Sequence, residues 1–160
     1  MIPRELFDFV ESGISILVGT RNDRMFPDGC RAIGAQVEDE GRALIVFLAD
    51  STSASVRANL LDNRRIAIGF SRVSDHRSVQ IKGRAVELRP ADEADRKHID
   101  RYRLELTEEW GMVGMPPKLT QRMAHWPCWR VLCQVESVFL QTPGPGAGDP
   151  LKVWKEEPRP

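Results

Sequence analysis

Lysine is scarce in this chain, tyrosine occurs once and cysteine three times. Cys30, Cys128 and Cys133 are an odd number, which argues against the disulfide framework of a small secreted domain. Cys128 and Cys133 lie five residues apart near one strand, so their side chains face opposite ways and do not bond to each other. No apolar run approaches the roughly 20 residues of a membrane span, and no signal-peptide core follows Met1. The expectation is a cytoplasmic protein without membrane contact. Charge of one sign is also missing, with 23 Lys+Arg against 23 Asp+Glu. The halves nearly balance too, 10 against 11 over residues 1–80 and 13 against 12 over residues 81–160. A binder that works by neutralising phosphates carries a basic surplus, so nucleic acid is not an expected partner.

What is present points to one globular domain. The chain has 160 residues, 41% of them hydrophobic, enough to bury a core without staples. Residues 1–148 are expected to form the domain and 149–160 a tail, extended or packed on a partner subunit. Of the 23 basic residues 18 are arginine, and lysine first appears at Lys82. Arginine's planar fork suits phosphates and carboxylates, although a GC-rich genome produces the same bias.

Hydrophobic periodicity predicts the organisation. Pro3, Leu6, Phe7 and Val10 read as a short helix stopped at Gly13. Strands are predicted over Ile14–Thr20, Cys30–Val37 and Ala43–Ala49, the last apolar without alternation and therefore covered on both faces. Asp50-Ser-Thr-Ser53 offers N-caps for a helix through Val56, Leu60 and Leu61. A fourth strand fits Arg65–Phe70 and a fifth Ser78–Leu88. In the fifth strand the apolar parity slips at Gly83, the mark of a β-bulge. Pro90 opens a charged helix with Ile99, Tyr102 and Leu106 on one face; Gly111–Pro127 reads as irregular. A sixth strand over Trp129–Gln141 slips parity as well. Six short strands, two of them bulged, with helices in the connections, predict a mainly β (α+β) fold: an antiparallel Greek-key split β-barrel.

Few motifs carry chemistry by themselves. There is no G-x-S-x-G elbow, and His76, His98 and His125 sit in unrelated contexts. His125-Trp-Pro-Cys128 has a crude ligand spacing, but it lacks the partners of a zinc site, and no metal is expected. Pro143-Gly-Pro-Gly-Ala-Gly148 lacks the Lys-Ser/Thr of a phosphate loop and reads as a turn-rich strap. Ser71–Ser78 concentrates three Ser, two Arg, a His and an Asp between two strands; a solvated hairpin tip has the same composition. Asp50–Arg57 places hydroxyls at a helix start with Arg57 one turn in, a pattern suited to phosphate.

The order of these pieces carries a resemblance. Arg31-Ala-Ile-Gly-Ala35, the apolar third strand, the Ser/Thr-rich helix start, Ala58-Asn-Leu-Leu-Asp-Asn-Arg-Arg-Ile-Ala-Ile68 and Val79-Gln-Ile-Lys-Gly-Arg-Ala85 together resemble the pyridoxamine 5′-phosphate oxidase-like, FMN-binding split-barrel family. The resemblance implies a homodimer with FMN at the subunit interface and a small-molecule substrate. It makes Arg31, Ile33, Gln36, Ser53, Ser55, Arg57, Ser78 and Gln80 the cofactor-binding candidates, with His76 and Arg77 orienting an anionic substrate. The chain departs from the oxidase pattern where phosphate cations stand: the Arg-Lys pair before the helix reads Ser55-Val56, the lysine ending the second strand reads Gln36, and the fifth-strand glutamine reads Ser78. Arg57, Arg72 or Arg77 would have to substitute. The pyridoxal-binding C-terminal region has no counterpart, which speaks against vitamin B6 synthesis. The implied activity is an FMN-dependent oxidoreductase without an identified catalytic side chain. The alternative is a non-catalytic protein binding a flavin, a deazaflavin or, through an axial His, a haem.

Overall fold

The computed structural model describes residues 1–151. The expected tail therefore lies outside the described residues beyond Leu151, and Trp154 with it. A 3-10 turn over Arg4–Leu6 leads into α1 (Phe7–Glu11). Six strands follow: β1 (Ser15–Arg21), β2 (Pro27–Glu38), β3 (Ala43–Ala49), β4 (Arg65–Ser71), β5 (Ser78–Pro90) and β6 (Cys128–Leu140). Between them, α2 (Ala54–Asn63) joins β3 to β4, while α3 (Glu93–Met112) and α4 (Pro117–Gln121) join β5 to β6. Every pairing is antiparallel, and the strands close as a barrel in the order β1-β2-β3-β6-β5-β4. The expected six-stranded antiparallel barrel is the fold observed.

Its interior follows from the strand patterns. Ile16 and Val18 of β1, Ile66, Ile68 and Phe70 of β4, and Val79 and Ile81 of β5 alternate inward and are buried. β3 is buried over Leu44–Ala49, matching its continuous apolar run. The slip at Gly83 is a register shift between Lys82 and Gly83 against β6, and Glu136 is the β6 residue left without a pair there. A Cβ at position 83 would collide with the Gln134 carbonyl and the Cys133 sulfur, so glycine lets the two strands close together.

Three boundaries differ from expectation. β2 begins at Pro27 rather than Cys30, because the register of β1 extends to an Arg21–Pro27 pair. Pro90 ends β5 instead of opening the helix; α3 is started by Asp92, which accepts from the Ala94 and Asp95 amides while Asp95 accepts from the Asp92 amide. The stretch from Gly111 to Pro127 is not wholly irregular, since Pro117 seeds the single turn and a half of α4. As expected, Ile99, Tyr102 and Leu106 are buried, and α3 lies on β2, where the Tyr102 hydroxyl donates to the Ile14 carbonyl at 2.7 Å. Gly13 permits this approach, because a Cβ there would meet the α3 backbone at Glu105 and Leu106.

Candidate functional site

The strands set two groups of candidate residues at opposite ends of the barrel. At one end β3 runs out beside the start of β6, and Asp50, Ser53, Ser55 and Arg57 follow it into α2. At the other end lies the β4–β5 hairpin with Arg72, His76, Arg77 and Ser78. Within one chain these groups do not meet.

At the α2 end the side chains are already committed to one another. Ser53 is fully buried, and its hydroxyl donates back to the Ala49 carbonyl at 2.8 Å rather than capping the helix. The expected N-cap hydrogen bond is therefore absent, because the hydroxyl is turned into the preceding 3-10 turn. Arg57 donates to the Ser53 oxygen at 3.2 Å, forms an ion pair with Asp50 at 2.9 Å, and stacks over Trp129 at 4.5 Å. The Trp129 indole N–H donates to the same Asp50 oxygen at 2.7 Å. Ser55 is exposed and hydrogen bonds the Asp28 carboxylate; that bond and the Gly29 amide hold Asp28 below the usual carboxylate range. The single arginine of this helix start is thus paired with the Asp50 carboxylate. A phosphate dianion needs spare positive charge, and here Asp50 has taken it. The α2 start in this arrangement does not fit an FMN phosphate.

The outer wall at the other end is different. Register pairs Ser15 with Ser71 and Ser71 with Ser78, which sets three hydroxyls in one row across β1, β4 and β5. The Ser78 hydroxyl donates to Ser71 at 2.9 Å, and Arg31 of β2 donates to Ser15 at 3.0 Å. Arg31 also lies over Trp110 at 4.9 Å, and the Trp110 indole N–H is buried without an acceptor. Gln80 stands one row along, between Gly69 and Phe139. Arg31, Ser78 and Gln80 therefore share one wall, to which Ser71, named in the sequence only as part of the Ser71–Ser78 segment, and Ser15 and Trp110, not named as site residues there, add polar groups. Only strand register brings Ser15 beside Ser71. Donors of this kind, with an orphaned N–H among them, suit the carbonyl-rich edge of a planar ring.

The remaining candidates stand outside this row. Ile33 is buried beneath α3 with Tyr102 and Leu106. Gln36 donates to Glu38 at 2.7 Å. Arg72 forms a two-point ion pair with Asp75, at 3.0 and 2.7 Å, and both Arg72 and Arg77 lie over Phe9. His76 is exposed at the hairpin tip with φ +60°, so the segment Ser71–Ser78 is a hairpin tip with its own internal charge pairing. His98 is half-buried on α3, and burial, with Lys97 and Arg101 beside it, lowers its pKa. His125 borders a space of only about 10 Å³. Among the described residues no cluster of His, Cys, Asp and Glu could hold a metal ion.

No protein-family model matches the chain, and no curated protein sequence matches it. Solved structures do. HupZ of Group A Streptococcus is 20% identical, with 92% of this chain and 100% of that one covered at a TM-score of 0.56. A candidate pyridoxamine 5′-phosphate oxidase of Lactobacillus delbrueckii is 14% identical, with coverage of 86% and 93% and a TM-score of 0.56. An FMN-binding protein of Syntrophomonas wolfei is 12% identical, with coverage of 95% and 90% and a TM-score of 0.52. The chain has the split-barrel fold of the pyridoxamine 5′-phosphate oxidase-like proteins. At these identities the likeness is one of fold.

Proposed function

We propose that this chain is a flavin-binding split-barrel protein that works as a homodimer and serves as an oxidoreductase acting on a small molecule. The observation that carries the reading is the joined row of Arg31, Ser15, Ser71 and Ser78 on the outer wall, with the unpaired Trp110 N–H beside Arg31. An isoalloxazine or deazaflavin ring presents carbonyl and ring-nitrogen acceptors to such donors. The FMN-binding relative of the same fold supports the choice of ligand. When bound, such a ring supplies the two-electron chemistry itself; the residues here hold and orient it. That division of labour agrees with a site in which no acid–base dyad stands out.

The second copy is part of the proposal. Exposed apolar side chains gather on β1 and the turn after it, with Leu17 55% and Phe26 65% exposed, beside Met25. Such side chains are the usual centre of a subunit interface. A partner packed there would lie along the wall next to Arg31.

The deciding experiment is an absorption and fluorescence titration of the purified protein with riboflavin and FMN, followed by dithionite. Saturable binding and bleaching are expected, and Arg31→Ala should weaken binding more than tenfold. A protein that ignores both flavins, or an Arg31→Ala variant that binds them equally well, would remove the reading.

A further inference from the structure

A separate cluster of positive charge lies further along the same barrel wall. The register aligns Gly19, Ala67, Lys82 and Ser137 in one row across β1, β4, β5 and β6. In the next row Arg65 stands directly opposite Arg84. Arg21 lies two residues beyond Gly19 on β1, on the side of Arg65, and borders the same groove. Alternation along the strands turns Arg21, Arg65, Lys82 and Arg84 outward. Four cations therefore crowd three neighbouring strands that lie about 4.8 Å apart.

This placement costs stability unless something offsets it, because like charges directly opposite on paired strands repel. Among the other described arginines, Arg42, Arg57, Arg72, Arg89, Arg96, Arg101, Arg103 and Arg130 each have a carboxylate partner. Arg4, Arg24, Arg31, Arg64, Arg77 and Arg122 stand singly rather than opposite another arginine in strand register. Among the described residues none of Arg21, Arg65, Lys82 and Arg84 is ion-paired. Arg21, Arg65 and Lys82 border a groove of about 440 Å³ whose floor is the small pair Gly19 and Ala67, and Arg84 stands just outside this lining, opposite Arg65. Glu136, freed by the β-bulge, and Ser137 form its far wall. The volume suits a small ligand, and the polar far wall can accept from a hydroxyl or amine.

We propose that this groove binds a phosphorylated small molecule, its phosphoryl oxygens held by Arg65, Arg84, Arg21 and Lys82. Guanidinium forks match phosphoryl oxygens two at a time, and their joint field is what the cross-strand arginine pair lacks a partner for. The groove adjoins the row of Arg31 and Gln80 but is built from different residues, and it does not depend on a flavin binding there.

Inorganic pyrophosphate is the probe. Isothermal titration of the full chain at constant ionic strength should give saturable binding in the sub-millimolar range. Arg65→Gln and Arg84→Gln should each weaken it at least tenfold, while Arg4→Gln, at the far N-terminal turn, should leave it unchanged. Without pyrophosphate, Arg84→Gln should melt no lower than the parent protein, since it relieves repulsion. Absence of saturable binding, equal binding in the Arg65 and Arg84 variants, or an equal loss in Arg4→Gln would each overturn the proposal.

Discussion

Asp50 is the residue on which the α2 end turns. It holds Arg57 by charge and Trp129 by a hydrogen bond, and so leaves that helix start without spare cation. Asp50→Asn keeps a hydrogen-bond acceptor but removes the competing charge. The expected outcome is a gain of several-fold in affinity for FMN with no change for riboflavin, measured as the ratio of the two dissociation constants. An unchanged ratio would mean that Arg57 is not the phosphate's missing partner. Cysteine supplies a second prediction. Burial pushes the Cys30 and Cys128 thiols up to about 11 and Cys133 up to about 12. Native protein at pH 8 should thus react slowly with a disulfide reagent, and all three thiols should react on unfolding. These pKa values are raised above the unfolded ones. The stability they represent is whole below about pH 9 and falls as pH climbs toward 11, visible as a lower melting temperature in alkali.

At the scale of elements, the bulge at Gly83 makes the sharpest test. Gly83→Ala places a methyl group against the Gln134 carbonyl and the Cys133 sulfur, and should cost about 1–3 kcal/mol in denaturant unfolding. Gly111→Ala, with open space around its Cβ position, should cost nothing of that kind. The start of α3 is a comparable point. Asp95 serves the capping box and pairs with Arg89 at 3.1 Å and Arg130 at 3.7 Å, so Asp95→Ala should destabilise by about 2 kcal/mol. Elements of this kind were legible in the sequence because their causes are local: the parity slip at Gly83, the unbroken apolar run of β3 and the Ile99–Tyr102–Leu106 face each lie within one segment. Asp50 and Trp129, by contrast, are 79 residues apart, and nothing near either one announces the other. The arginine cluster escaped notice for the same reason. Arg65 and Arg84 become neighbours only once β4 and β5 are in register. The short helix α4 was passed over because its five residues carry no periodicity to read.

For the whole molecule the prediction concerns assembly. Three of the tryptophans have cationic neighbours within the chain: Trp110 lies under Arg31, Trp126 under Arg96 and Trp129 under Arg57. The case for a dimer rests on the exposed Leu17, Met25 and Phe26. Sedimentation should return twice the chain mass of 18.1 kDa at micromolar concentration. Leu17→Lys with Phe26→Ser should return the single mass with the circular dichroism of a folded barrel. A parent protein already at the single mass would remove the dimer.

The seat of β6 has a further consequence, for the time course of synthesis. Its two edges pair with β3 and β5, so the gap between those strands is filled by the latest strand in chain order among the described residues. Until residue 140 leaves the ribosome, β3 and β5 each show an open edge, and the inward rows of Val, Ile and Phe have no closed cavity to fill. Closure is thus a late event that happens all at once. A stalled or shortened nascent chain would be an open, adhesive sheet, and a chaperone would meet this protein chiefly in that state.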